Sequence, residues 1–337
     1  MADLDRLDRT LYLLSKKIRF GVLTPLNVDE EKNKVLRDKT YDPTFHYRKP
    51  DVDFFLLKKN LLDLAFDESM LGRLLHQKRN DMVKTVTMLG YIGQEKFSSH
   101  VLNVYGRPSK DLVGKAKQFL KTPMEKKIEG YTGISTVKKF LDAFLYQGLR
   151  WKVKEKEMVA GAAFDVGQRT LFINKQRRFS KEEIQRLIVH EIGTHITRAE
   201  NGKKHKHKLF LMGFPNYLVT EEGLAVYNEE RAGLLHNDLL KTYAGRVVAV
   251  DLALQSSFSS VYTTLREYFS DEDAFRLTMR VKRGLKDTSK PGGFTKDYFY
   301  LEGYYRVKEF VKKGGSLDSL YTGKIGIEHI PFLRYLE

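Results

Sequence analysis

Apolar positions near the start of the chain recur at helical spacing. Leu4, Leu7, Leu11, Leu14 and Ile18 fall at three- and four-residue steps and make one stripe, with Asp3 placed to cap the helix and Gly21 to end it. Residues 25–50 are polar and rich in turn formers, which predicts irregular structure. Helical patterns return around 54–66, 70–89, 112–120 and 137–145. Near Trp151 the period shortens to two, as Trp151 and Val153 alternate with Lys152 and Lys154. Residues 163–166 and 169–174 flank Gly167 and Gln168 and predict a hairpin. A helix follows, opened by the capping box of Ser180 and Glu183, with Ile184, Leu187 and Ile188 on its inward face. No repeat or low-complexity segment interrupts this order.

That helix runs into His190-Glu191-Ile192-Gly193-Thr194-His195. The common zinc-peptidase motif H-E-x-x-H places its histidines four apart on one helical face. Here they are five apart, which on a straight α-helix turns the rings about 140° from one another. A π-bulge between them would bring both to one side, and Gly193 lies inside the interval. The spacing alone leaves two readings: a metal pair, or a satisfied core histidine with a second one near the surface. Glu191 shares the inward face with Ile184, Leu187 and Ile188, where a carboxylate needs a cation, a proton or a partner. A carboxylate-rich helix start follows at Thr220-Glu221-Glu222-Gly223-Leu224-Ala225, and catalytic zinc commonly takes two His and one Glu. The order of hairpin and then motif helix is that of zincin peptidases, where an edge strand aligns substrate beside the cleft. The expected fold is therefore α+β and predominantly helical: a zincin-like metallopeptidase with a small antiparallel sheet beside the motif helix. The expected organisation is a helical N-terminal region over 1–130 and a catalytic region over 131–337.

Composition narrows the setting. The 337 residues suffice for one or two domains, and no apolar run approaches the ~20 residues of a membrane span. Cysteine is absent, so thiolate metal sites and disulfides are excluded. The opening MADLDRLDRT is too polar for a secretory signal, and a cytoplasmic protein is the expectation. The net charge of +16 favours acidic partners. It is spread along the chain without a nucleic-acid motif, so nucleic acid is not the expected partner. The run from Lys203 to Lys208 reads as an exposed loop after Asn201-Gly202, since its histidines stand among like charges that repel a divalent cation.

Three blocks carry a family resemblance: HEIGTH, then FPNYLVTEEGLAVYNEE, then RVKRGLKDTSKPGGFTKDYFYLEG, with LTPLN and YGRPS upstream. Together they resemble the QEGLA-motif family, whose bacterial members are labelled flavohemoglobin expression-modulating proteins and whose animal member is a microtubule-associated tyrosine carboxypeptidase. The resemblance implies zinc as cofactor, His190, His195 and Glu222 as its ligands, and Glu191 as the base. Glu221 replaces the Gln of the family motif and is expected to stand outside the ligand set and to matter much less than Glu222. The implied activity is a carboxypeptidase that releases Tyr or Phe from the C-terminus of a peptide or protein, and the basic net charge favours acidic residues before the cut. The rival is a non-catalytic regulatory protein that keeps zinc and binds an acidic partner.

Arg276, Arg280 and Arg283 fall at i, i+4 and i+7 after a start capped by Ser270 and Asp273. One reading is a solvated face; the other is a grip on a terminal carboxylate in the two-pronged geometry Arg favours. The resemblance selects Arg280 and Arg283 for that role, with Lys296 as a further anion contact. Among Tyr298, Tyr300, Tyr304 and Tyr305, Tyr300 is the candidate donor to a developing oxyanion.

Overall fold

Short polar side chains set seven of the helix starts. Asp3, Asp53, Ser69, Ser109, Ser180, Ser257 and Ser270 each accept a hydrogen bond from a first-turn amide. The computed structural model describes residues 3–123, 131–146, 150–158 and 161–336. The protein is predominantly helical with a small mixed sheet. Among the described residues, no helix is long and apolar enough to cross a membrane.

The chain divides into two compact units, each assembled from two stretches. The first gathers Met1–Pro123 and Asn237–Glu302; the second gathers Met124–His236 and Gly303–Glu337. The first stretch of the first unit ends at Pro123, and the expected boundary at residue 130 lies outside the described residues. The chain returns to the first unit for 237–302, a return the linear pattern does not reveal.

Among the described residues, the regular structure of the first unit is helical apart from an isolated bridge between Thr44 and Asp287. The first helix, Leu4–Ser15, buries Leu11 and Leu14 but stops before Ile18, and Gly21 sits in a separate 3₁₀ turn, Phe20–Leu23. Four helices lie where none was expected: Val28–Arg37, Phe97–Tyr105, Asn237–Ala253 and Phe258–Arg266. Val28–Arg37 buries only Glu31 and Val35, so it shows almost no apolar stripe. Its signal is electrostatic: Asp29, Glu30 and Glu31 in the first turn, Lys34 and Arg37 in the last.

In the second unit the sheet order puts Thr170–Asn174 between Lys152–Lys156 and Ala162–Asp165. Ala162–Asp165 and Thr170–Asn174 pair antiparallel as the expected hairpin, with Arg169 at φ 47° in the turn. Lys152–Lys156, however, pairs parallel with Thr170–Asn174, so the sheet is mixed rather than antiparallel. The reason is burial. Thr170–Asn174 is the most buried of the three strands and takes the centre, while Lys152–Lys156 buries only Val153 and forms a lysine-bearing edge. A separate two-stranded pairing joins Tyr131–Thr132 to Phe179–Ser180. One core runs under these elements: Val137, Leu141, Trp151, Val153, Leu171, Ile173, Phe179, Ile184, Leu187, Ile192 and Ile196. It seats the motif helix against the sheet, which is what positions the site.

Candidate metal centre

The capping box of Ser180 and Glu183 forms as expected and starts Lys181–Leu187. The helix then widens. Ile188–Ile196 is a π-helix of 9 residues that contains the whole motif. Hydrogen bonds now step back five residues, so two side chains five apart share a face. The hydroxyls of Thr194 and Thr197 follow the same step, donating to the Val189 and Ile192 carbonyls at 3.0 and 2.8 Å. The His190 and His195 rings are brought to 5.0 Å between centroids, at 77° to each other.

The third member comes from Leu218–Arg231. Ligand atoms of His190, His195 and Glu222 all lie within 4.8 Å of one another, and all three residues are buried. Nε2 of His195 is 3.9 Å from Oε2 of Glu222. This helix approaches Phe299–Lys312 closely through Gly223. A Cβ there would stand 2.0 Å from the Gly303 carbonyl carbon, so the residue after Glu222 must be glycine for the backbones to meet. Glu191 lies half-buried beside the histidines, without a hydrogen bond or ion pair to another described residue.

Each histidine is held from behind. Nδ1 of His190 meets Glu229 Oε1 at 2.8 Å, and Arg186 donates to the same oxygen at 3.0 Å. Nδ1 of His195 meets Glu221 Oε1 at 3.0 Å. Glu221 is paired in turn with Arg198, which is fully buried and donates to the Leu320 and Ile325 carbonyls at 2.8 and 2.6 Å. With both Nδ1 atoms engaged by carboxylates, the Nε2 atoms are left to face Glu222. Such carboxylate backing fixes the tautomer and raises the ring's basicity. Burial pulls the His195 pKa down, but the hydrogen bond and charge of Glu221, with Glu191 and Glu222, push it up further, so the net shift is upward. For Glu221 burial acts upward, and the Arg198 charge and the His195 hydrogen bond overcome it to hold the carboxyl at about 2. Two imidazoles and one carboxylate, preoriented and dry, fit zinc with one position left open.

Glu221 stands outside the ligand trio, as expected, and has a further role that the sequence reading did not assign it. It is the group that orients His195. Glu229, Arg186 and Arg198 escaped the sequence reading altogether. Glu229 carried a signal: it stands seven residues after Glu222, two turns along the same helix face. Arg186 likewise precedes His190 by one turn. A further clamp joins the π-helix to its neighbours. Asn228 Nδ2 donates to Thr194 Oγ1 at 2.8 Å and to the Tyr321 hydroxyl at 2.7 Å, and that hydroxyl donates to the Gly193 carbonyl at 3.1 Å. The edge strand Ala162–Asp165 contributes Phe164, whose ring stacks on His195 at 5.4 Å and 22°. In the Lys203 to Lys208 run, His205 packs flat on Phe210 and bonds the Thr322 carbonyl at 2.9 Å. Among the described residues, His190, His195 and Glu222 are the one group whose ligand atoms converge.

The remaining candidates lie in the first unit. Asp271–Lys282 ends before Arg283, so the three arginines do not share one helical face. Arg276 is exposed and pairs with Asp273 at 2.6 Å. Arg280 makes a two-pronged pair with buried Asp297, its Nη2 reaching Oδ1 at 3.0 Å, and Arg283 lies 3.6 Å from the same carboxylate. Burial would raise the Asp297 pKa, but Arg280, Arg283 and Arg246 drive it well below the carboxylate range. The Tyr300 ring stacks on Tyr243 at 5.5 Å and 10°. Lys296 opens the short 3₁₀ turn Lys296–Tyr298 and is half-buried. Of the neighbouring tyrosines, Tyr298 donates to the Tyr105 carbonyl at 2.6 Å in the first unit. Tyr304 donates to Glu230 at 2.7 Å in the second.

Residues 35–337 match the family model described as microtubule-associated tyrosine carboxypeptidase. The chain is 27% identical over 328 residues to microtubule-associated tyrosine carboxypeptidase 1 of Rattus norvegicus, covering 93% of this chain and 61% of that protein. It is 26% identical over 326 residues to the proteins of the same name from Mus musculus and Homo sapiens, again over 93% of this chain, and over 61% and 60% of theirs. The chain thus spans about six-tenths of the length of these curated relatives. With the family model matched over nine-tenths of its residues, the chain belongs to the microtubule-associated tyrosine carboxypeptidase family.

Proposed function

We propose that this protein is a zinc-dependent carboxypeptidase that releases a single C-terminal Tyr or Phe from a peptide or protein with an acidic end. The observation that carries the proposal is the convergence of His190, His195 and Glu222 on one point, with Glu191 beside it. Relatives named tyrosine carboxypeptidases support the choice of reaction. The proposed fold class is zincin-like, resting on the motif helix, the neighbouring edge strand and the downstream glutamate.

Zinc held by the trio would supply a Lewis acid for the scissile carbonyl and an acidified water. Glu191 takes the water's proton on its carboxylate and delivers it to the departing amine. Glu221 and Glu229 keep the two imidazoles turned so that Nε2 faces the ligand point. Arg280, Arg283 and Lys296 are proposed to recognise the free terminal carboxylate, and the Tyr300 phenol to donate to the developing oxyanion. The net charge of +16 favours acidic residues before the cut.

Mass spectrometry of matched peptides with free and amidated C-termini tests this. The expected result is loss of one terminal Tyr or Phe, with the free acid strongly preferred. The amide is expected to react roughly ten- to a hundredfold more slowly, the worth of a charge-assisted hydrogen bond. Internal cleavage would overturn the carboxypeptidase assignment. No cleavage of either peptide by zinc-loaded protein would favour the non-catalytic rival.

A further inference from the structure

The first unit holds a second polar cluster, of opposite character to the metal centre. Arg246, on Asn237–Ala253, lies over the Tyr300 ring at 4.2 Å and the Tyr243 ring at 5.0 Å. Arg283 lies over the Phe294 ring at 4.5 Å. With Arg280 these guanidiniums gather about one carboxylate, Asp297, which is 1% exposed. Three permanent positive charges therefore face one negative charge in a largely dry setting. Arg280 is committed to Asp297 through both prongs. Arg246 and Arg283 are not: Nε and Nη1 of Arg246 and Nε of Arg283 are buried without a hydrogen-bond acceptor among the described residues. A buried guanidinium N–H without an acceptor costs roughly 1–3 kcal/mol or more. Buried donors in native proteins almost always find a partner, so these call for an acceptor from outside the chain, an ordered water or a bound anion.

The geometry points to a carboxylate-binding site in the first unit, with Arg246 and Arg283 as its donors. Asp297 is the positioning residue that anchors Arg280 and Arg283, and the Tyr243–Tyr300 stack is the wall that orients Arg246. A planar carboxylate matches the fork of a guanidinium, whose Nε and Nη can donate in parallel to two oxygens. The site's existence does not depend on the proposed peptidase activity. Only one source of the carboxylate, a peptide chain end, rests on that reading; the other is a free small acid.

The test measures binding, not turnover, on the full chain carrying Glu191→Gln so that peptide persists. Calorimetry would compare a peptide ending in a free carboxylate, its C-terminal amide, and sodium acetate against sodium chloride at equal ionic strength. The expected result is binding of the free acid or of acetate that falls about ten- to a hundredfold in Arg246→Met. Arg246→Lys, which keeps the charge but not the fork, should lose a smaller part while melting at the parent temperature. Arg276→Met, an exposed control, should bind as the parent does. Preference for the free-acid peptide over its amide would assign the site to chain ends. Equal peptide binding with a response to acetate would assign it to small acids. Carboxylate binding that is absent from the parent, or unchanged in both Arg246 variants, would overturn the site.

Discussion

Arg198 and Arg246 are both guanidiniums in largely buried settings, yet their surroundings differ in kind. Arg198, in the second unit, spends every arm: Nε on the Leu320 carbonyl, Nη1 on Glu221, Nη2 on the Ile325 carbonyl. Arg246, in the first unit, rests on two tyrosine rings and leaves Nε and Nη1 without acceptors. The charge around each differs too. Near Arg198, the carboxylates Glu191, Glu221, Glu222 and Glu229 outnumber the nearby cations Arg186, Arg198 and Lys324, a balance that suits a metal ion. Near Arg246, three arginines gather about Asp297, a balance that among the described residues suits an anion. A fully satisfied buried ion holds its neighbours in place, whereas buried donors without acceptors call for a partner from outside the chain, which is the basis of the anion site proposed above.

The largest effect expected from breaking this contrast is at Glu191. Glu191→Gln should retain one zinc per chain and the parent melting temperature while turnover falls at least ~10²-fold, because the amide cannot accept the water's proton. Elemental analysis beside a peptide assay checks both halves. A fully active variant would remove Glu191 as the base.

Asp297→Asn should come next. It leaves three guanidiniums without their shared counter-charge, and breaking a buried pair in this way costs roughly 3–5 kcal/mol. Denaturant unfolding should show the loss, with zinc stoichiometry unchanged, since the carboxylate belongs to the first unit. A neutral result would mean that the arginines do not depend on Asp297.

Smaller effects are expected behind the histidines. Glu229→Gln and Glu221→Gln should each weaken zinc binding about ten- to a hundredfold by loosening one imidazole. Competition with a metal-binding dye would measure this. Glu221→Gln restores the residue that names the family motif, so a milder loss there than at Glu229 would show that an amide can orient His195 as well. Elemental analysis finding less than about a tenth of an equivalent of zinc in gently loaded parent protein would remove the metal reading itself.

The smallest effect concerns Lys282, fully buried in the first unit and donating to the carbonyls of Ala253, Ser256 and Lys290. Burial pushes its pKa down to about 8 from 10.5, against the opposing pull of Asp42 and Asp287. Between those values the unfolded chain binds more protons than the folded one, so this residue's contribution to stability rises with pH across that window and is absent below it. Melting curves from pH 7.5 to 10.5 should show a positive slope that Lys282→Met reduces. An identical slope in the variant would mean that the three carbonyls keep the ammonium charged in the fold.

Local chemistry was legible in the chain itself. The capping box at Ser180, the hairpin around Gly167 and Gln168, and the need for a π-turn between His190 and His195 follow from spacing and side-chain type. They involve neighbours a few residues apart, whose geometry the backbone's own hydrogen bonds dictate. Three features belonged to the tertiary structure alone. The return of residues 237–302 to the first unit depends on which apolar faces find each other, and the pattern along one helix does not name its partner. The parallel placement of Lys152–Lys156 depends on the most buried strand claiming the centre of the sheet. The partners of the buried charges, Glu229 for His190, Arg198 for Glu221 and Asp297 for Arg280, depend on side chains 39, 23 and 17 residues apart being desolvated together. The cost of leaving any of them unpaired in a dry interior is what makes those pairings specific.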